Sequence, residues 1–239
     1  MMELSKRLQA VADLVTADCK LADIGTDHGY IPIALVERGK IPGAIAMDVN
    51  QGPLERAEEH IRAYQMEGQI ETRLSNGFTS LKKGEVQSAV IAGMGGGLVI
   101  RILTDGKEIV SGLQECILQP QSEIEKVRAF LLKEGFLFLE EDMVEEDGKY
   151  YPMMKVRPPK ADTPGQAGDE WTAEQLKYGK LLLEKQHPVL REYLEREIRI
   201  KREILSGLEK KDSDRIAFRK RELTEELEDA EKGMNYYAV

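Results

Sequence analysis

The stretch Leu21-Ala22-Asp23-Ile24-Gly25-Thr26-Asp27-His28-Gly29-Tyr30 gathers carboxylates, an imidazole and a phenol around a glycine turn. An apolar run, a glycine turn and a helix start, in that order, present backbone N–H groups to a nucleotide-like ligand. Gly25 permits a tight turn and a close approach of the ligand to the backbone. Asp27 adds a second carboxylate to the turn, in the place of a glycine. His28 and Tyr30 can orient or stack a planar base, and each also has a plain role, as a backbone partner at a helix start and as a packing ring.

Further strand ends carry residues of the same kind. Asp48 closes the apolar run Ala44-Ile45-Ala46-Met47, where an acidic side chain accepts hydrogen bonds from ribose hydroxyls. Asn76-Gly77 follows Ile70–Leu74, and this pair also makes an ordinary Asn-Gly turn. Gly93-Met94-Gly95-Gly96-Gly97 follows Ser88–Ala92, and glycines there allow close backbone approach to a ligand. Ligands bind at the carboxyl ends of parallel strands.

These residues need elements to position them. Leu4, Leu8, Val11, Ala12 and Val15 recur at helical spacing. Strands are expected at Lys20–Ile24, 44–47, Ile70–Leu74, Ser88–Ala92 and Glu115–Gln119, the last closed by Pro120. Helices are expected from Gly29 to Arg38, from Gly52-Pro53 onward, over Leu98–Leu103, and along Ile124, Val127 and Leu131. Phe136–Met143 and Tyr150–Val156 read as strands around Asp147-Gly148, the best hairpin signal in the chain. Arg157–Gly168, rich in Pro and Gly, reads as a linker. Beyond it, Trp171–Gln186 reads as one helix broken at His187-Pro188. Leu190, Leu194, Ile204 and Leu208 face Ile216, Leu223, Leu227 and Ala230 across a polar turn at Lys211-Asp212-Ser213-Asp214. The expectation is an antiparallel helical hairpin or coiled coil.

Five β-α alternations and a terminal hairpin predict an α/β fold. Its sheet is Rossmann-like and seven-stranded with the last strand antiparallel, the arrangement of class I S-adenosylmethionine methyltransferases. The chain then divides as a methyltransferase domain over 1–159 and a helical domain over 160–239. The runs 22–32, Asp48-Val49-Asn50, Ser75-Asn76-Gly77-Phe78, Ala92-Gly93-Met94-Gly95-Gly96 and Leu118-Gln119-Pro120-Gln121 resemble the bacterial tRNA (adenine(22)-N(1))-methyltransferase family. Ser75-Asn76 departs from the Asp expected at the third strand's end. The resemblance implies transfer of a methyl group from S-adenosyl-L-methionine to adenine N1 in tRNA. It assigns the cofactor to Asp23, Gly25, Asp27, His28, Asp48, Val49, Asn76, Gly77, Gly93, Met94 and Gly95. It assigns Asp27, His28 and Tyr30 to catalysis, and Tyr30, Gln119 and Pro120 to the target base. Ring-nitrogen methylation also explains the lack of an Asn-Pro-Pro-Tyr motif, since no amino hydrogen must be polarised first.

Composition sets the outer bounds. The net charge of −9 disfavours a general nucleic-acid binder but leaves room for a local basic face. Arg199 and Arg219, on the two tail helices, are the candidates to grip tRNA phosphates; a solvated, ion-paired face is the other reading. The same helices can instead join a weak homodimer. His60 and His187 read as structural. Cys19 and Cys116 read as core thiols, no run resembles a metal cluster, and no apolar run is long enough to span a membrane. A cytoplasmic protein without a metal is expected. Two other functions share the same features: a small-molecule methyltransferase, and a binding adaptor with a vestigial nucleotide fold.

Overall fold

The computed structural model describes residues 2–160, 170–208 and 213–238. The chain divides into two compact units, Met1–Asp169 and Glu170–Val239.

The first unit begins with α1 (Lys6–Leu14), capped by Ser5, whose hydroxyl accepts from the Leu8 amide. Then follow β1 (Leu21–Ile24), α2 (Tyr30–Glu37), β2 (Ala44–Asp48), α3 (Gln51–Ala63), β3 (Ile70–Leu74), β4 (Ser88–Gly95), α4 (Gly96–Asp105) and α5 (Lys107–Val110). β5 (Glu115–Ser122), α6 (Ile124–Lys133), β6 (Leu137–Glu146) and β7 (Lys149–Arg157) complete it. The seven strands run in the order β3-β2-β1-β4-β5-β7-β6. β1 to β5 pair in parallel, and β7 is antiparallel to both β5 and β6. This is the expected Rossmann-like methyltransferase sheet. β1 and most of β2 are buried on both faces, as a central parallel strand covered by helices must be. One core cluster packs α1 and α2 against one face through Val11, Ile33 and Leu35. The other packs α4 and α6 against the opposite face through Val99, Val127 and Leu131.

The β6–β7 hairpin is longer than the strand spacing implied. Its ladder runs to Glu146↔Lys149, leaving Asp147 and Gly148 alone in the turn, with φ of 53° and 75°. Positive φ at both positions matches the twist of the flanking strands, which is why Asp-Gly sits there.

β4 and β5 also depart from expectation. The sequence ends β4 at Ala92, before the glycine run, and ends β5 before Pro120. Instead β4 continues through Gly95, and β5 continues through Ser122. The pairing steps from Ala92↔Gln119 to Met94↔Pro120 to Gly95↔Ser122, so Gly93 and Gln121 are each left over as bulged residues. Pro120 has no donor for the ladder and is tolerated beside such an irregularity. α4 starts at once at Gly96, where a Cβ would lie 2.5 Å from the Ser122 carbonyl oxygen.

In the second unit the expected helix 171–186 is two helices, α7 (Ala173–Tyr178) and α8 (Lys180–Glu184). Gly179, at φ 98°, breaks it. α9 (Pro188–Leu208) and α10 (Asp214–Asn235) follow. Gly233 lies against Leu194, and Lys201 pairs with Glu226, so the two helices run antiparallel. Leu190, Leu194, Leu223 and Ala230 are buried in the seam; Ile204 is exposed. Lys201 is buried there too, paired to Glu197 and Glu226, a polar contact of the kind that fixes register. Ser213 caps α10, its hydroxyl accepting from the Ile216 amide. The rest of the expected turn, Lys211-Asp212, and linker residues 161–168 lie outside the described residues.

Candidate active site

The carboxyl ends of β1, β2 and β4 open onto a cavity of about 400 Å³, within the usual range for small-molecule sites. Arg7, Asp23, Gly25, Asp27, Tyr30, Asp48, Gly93 and Met94 are among its lining residues.

The turn after β1 is held by its own backbone. The amides of Gly25 and Thr26 both donate to the Met47 carbonyl, at 2.7 and 2.8 Å. Gly25, His28 and Gly29 have φ of 76°, 65° and 67°. At Gly25 this is a position for glycine alone, and the methyl of Met94 lies 1.9 Å from where a Cβ would be. The absent side chain leaves a cradle above the backbone, covered by one flexible thioether that is free to shift. Gly29 meets Ala57 of α3, which brings that helix against the turn.

Asp23 is 6% exposed. Burial pushes its carboxyl up to about 6; the nearby Thr26 hydroxyl opposes the rise, and the charge of Asp48 adds to it. A buried carboxyl that resists ionisation at a cavity wall is suited to a cationic partner. Asp48 folds back on its own turn, with Oδ1 accepting from the Asn50 amide at 2.7 Å. Asp27 is 66% exposed at the side chain, and Oδ1 lies 3.1 Å from Arg56 and 3.3 Å from His28 Nε2.

Not every expected site residue lines this cavity. Asn76 and Gly77 line a separate pocket of about 40 Å³ with Leu98 and Arg101. Val49 is 60% exposed beside Asp48, and Leu98 is also exposed, so two apolar side chains stand open at this edge of the sheet. Gln119 is fully buried, and Pro120 is buried as well. Gln121, the bulged neighbour, lines the cavity in their place. Gln119 acts through another residue: its Oε1 accepts from Arg7 Nη1 at 2.9 Å, and the Arg7 guanidinium lies 5.6 Å from the Tyr151 ring centroid. Arg7 is therefore a cation held in the cavity wall by a neutral amide and a ring. No local signal marks it, because both partners are more than a hundred positions away in sequence. On the second unit Arg199 is exposed with no ion pair among the described residues, whereas Arg219 is paired to Glu222 and Glu226.

Residues 4–154 match the family model described as a methyltransferase domain. The tRNA (adenine(22)-N(1))-methyltransferase of Bacillus subtilis is 39% identical over 153 residues. That alignment spans 64% of this chain and 64% of the relative, just under two thirds of its length. A Streptococcus pneumoniae structure described as a putative tRNA (m1A22) methyltransferase superposes with a TM-score of 0.85 at 30% identity, over 97% of this chain and 100% of that one. The same protein in complex with S-adenosyl-L-methionine superposes with a TM-score of 0.82, at 30% identity and over the same shares of both chains. With the strand order, the acidic cavity and these likenesses together, the chain belongs to the tRNA (adenine(22)-N(1))-methyltransferase family, within the methyltransferase-domain proteins.

Proposed function

We propose that this protein methylates N1 of adenine 22 in tRNA, using S-adenosylmethionine. The observation that carries the reading is the cavity in which Asp23, Asp27 and Asp48 meet a bare glycine backbone, a setting for a cationic, ribose-bearing ligand. When bound, the cofactor supplies a methyl group already activated on a sulfonium. Asp48 accepts from the ribose hydroxyls. Asp23 receives the ammonium group. Gly25 and Gly93 let the ligand approach the backbone, and the exposed Val49 and Leu98 offer apolar cover for its adenine. The accepting nitrogen starts neutral and has a lone pair, so alignment and exclusion of water matter more than a strong base. Tyr30 and His28 present ring faces to the base, and Asp27 stabilises the positive charge that the base acquires. Arg199 and its exposed neighbours give the helical unit a phosphate-binding face, and a cytoplasmic setting fits the two buried free thiols.

Labelled cofactor and tRNA transcripts test this directly. Label is expected in a transcript with adenine at position 22 and absent when guanine replaces it. Equal incorporation into both, or into neither, would overturn the reading.

Asp27→Ala is expected to lower kcat about tenfold or more, with the cofactor Kd within about threefold of wild type, since the interaction serves the transition state. Unchanged turnover removes the charge-stabilising role.

Asp23 predicts a pH dependence. Its carboxyl is protonated below about 6 in the free protein, and an ammonium needs the carboxylate. Cofactor affinity should therefore fall as pH falls, by about tenfold per unit below 6. Calorimetry across this range checks it. Asp23→Asn should bind weakly throughout and show no such slope.

A further inference from the structure

Arg56 and His60 lie one turn apart on the face of α3 that meets the glycine turn. Arg56 reaches Asp27 at 3.1 Å. His60 Nδ1 lies 3.0 Å from the carbonyl oxygen of His28. A carbonyl only accepts, so Nδ1 of His60 carries the proton and donates. The bond falls on a residue that carries backbone strain. His28 has φ of 65°, a left-handed conformation that a glycine would adopt without cost. The rings of His28, Tyr30 and His60 lie nearly parallel. Centroids are 5.0 Å apart for His28–Tyr30 and 5.2 Å for each pair with His60, with interplanar angles of 8°, 23° and 15°. Offset stacking at these separations is attractive. A strained residue held by a neighbouring helix beside a ligand cavity is the arrangement found where a side chain must be aimed.

We propose that His60 is a positioning residue for methyl transfer. It holds His28 in its left-handed conformation and completes a three-ring platform against which the accepting base is aligned. The inference rests on the reading of this turn as the place that receives the base. His60 approaches from α3 and does not line the cofactor cavity, so its loss should leave cofactor binding intact and misalign the acceptor. Misplacement on the scale of 1 Å costs up to about a hundredfold in rate.

Three variants test it on the full chain with tRNA transcripts. His60→Ala removes both ring and donor, His60→Phe keeps a ring, and His60→Asn keeps an amide donor close to the place of Nδ1. The expected result is a fall in kcat of about ten- to a hundredfold for His60→Ala, with the cofactor Kd, by calorimetry, within about twofold of wild type. His60→Asn should recover most of the loss, and His60→Phe less of it. Wild-type kcat in His60→Ala would overturn the proposal, and so would His60→Asn no better than His60→Ala. Should His60→Ala fail to fold, the order of His60→Asn and His60→Phe still decides: Asn above Phe supports the proposal, and Phe equal to or above Asn overturns it. A wild-type protein that binds cofactor yet methylates no tRNA would instead sink the functional reading.

Discussion

Asp48→Ala is expected to raise the Kd for S-adenosylmethionine by on the order of a hundredfold while leaving the fold intact. Each hydrogen bond to a charged group contributes roughly 1.5–3 kcal/mol, and two ribose hydroxyls converging on one carboxylate give about 3 kcal/mol or more, which is a hundredfold or greater in Kd. The side chain is half-buried at the end of β2 and, among the described residues, bonds only to the Asn50 amide. That amide is exposed and turns to water when the carboxylate is lost, so Tm should move by no more than about 2 °C. The demethylated cofactor should weaken to the same degree, because the lost contact is remote from the methyl group. A second effect has the opposite sign. Asp48 helps to push the Asp23 carboxyl up. Without it Asp23 ionises at lower pH, and the acid weakening of cofactor binding should begin lower than in wild type. A Kd within about threefold of wild type, measured by calorimetry at neutral pH, would remove Asp48 from the ribose site.

The residues that were legible in the sequence are those whose type is dictated at their own position. Gly25 is one, because its φ of 76° and the bare backbone above it demand glycine. Asp147-Gly148 is another, because a two-residue turn with both φ positive selects this pair. The parallel pairing of β1 to β5 followed from β-α alternation, since parallel neighbours need a crossover between them. What stayed hidden depends on long-range pairing. The bulges at Gly93 and Gln121 exist only in the register of β4 against β5, so the sequence ends β4 at Ala92 and points to Gln119 where Gln121 lines the cavity. Arg7 lies on an amphipathic helix whose pattern reports its buried stripe and not the guanidinium reaching Gln119. His60 sits on the polar side of its helix, and only the packing of α3 on the turn reveals its partner. Gly179 interrupts α7 and α8 inside a stripe of apolar residues that by itself reads as continuous.

Glu141→Ala should be the most destabilising single change outside the cavity. Arg128 of α6 and Glu141 of β6 are 1% and 0% exposed and pair at 2.8 Å between Nε and Oε1. Neither residue stands out in the sequence, because each sits among other charged side chains. Removing one member breaks a buried ion pair, which costs roughly 3–5 kcal/mol. For a domain of this size that is a fall in Tm on the order of 10 °C, and the denaturation midpoint should shift with an unchanged m-value. Replacing both partners tests the cause: Arg128→Met with Glu141→Leu should recover most of the loss, because apolar side chains of similar volume carry no desolvation penalty. A double variant as unstable as Glu141→Ala would show that the site needs the charges themselves. The pair also lies on the path to the cavity wall. Glu141 is in register with Met154 of β7, and Met154 with Leu118 of β5, next to the Gln119 that holds Arg7. Packed strands transmit such a change as loss of the whole cooperative unit rather than as a graded distortion. Cofactor affinity of Glu141→Ala measured well below its Tm should therefore equal that of wild type, and should vanish together with the folded state as temperature rises.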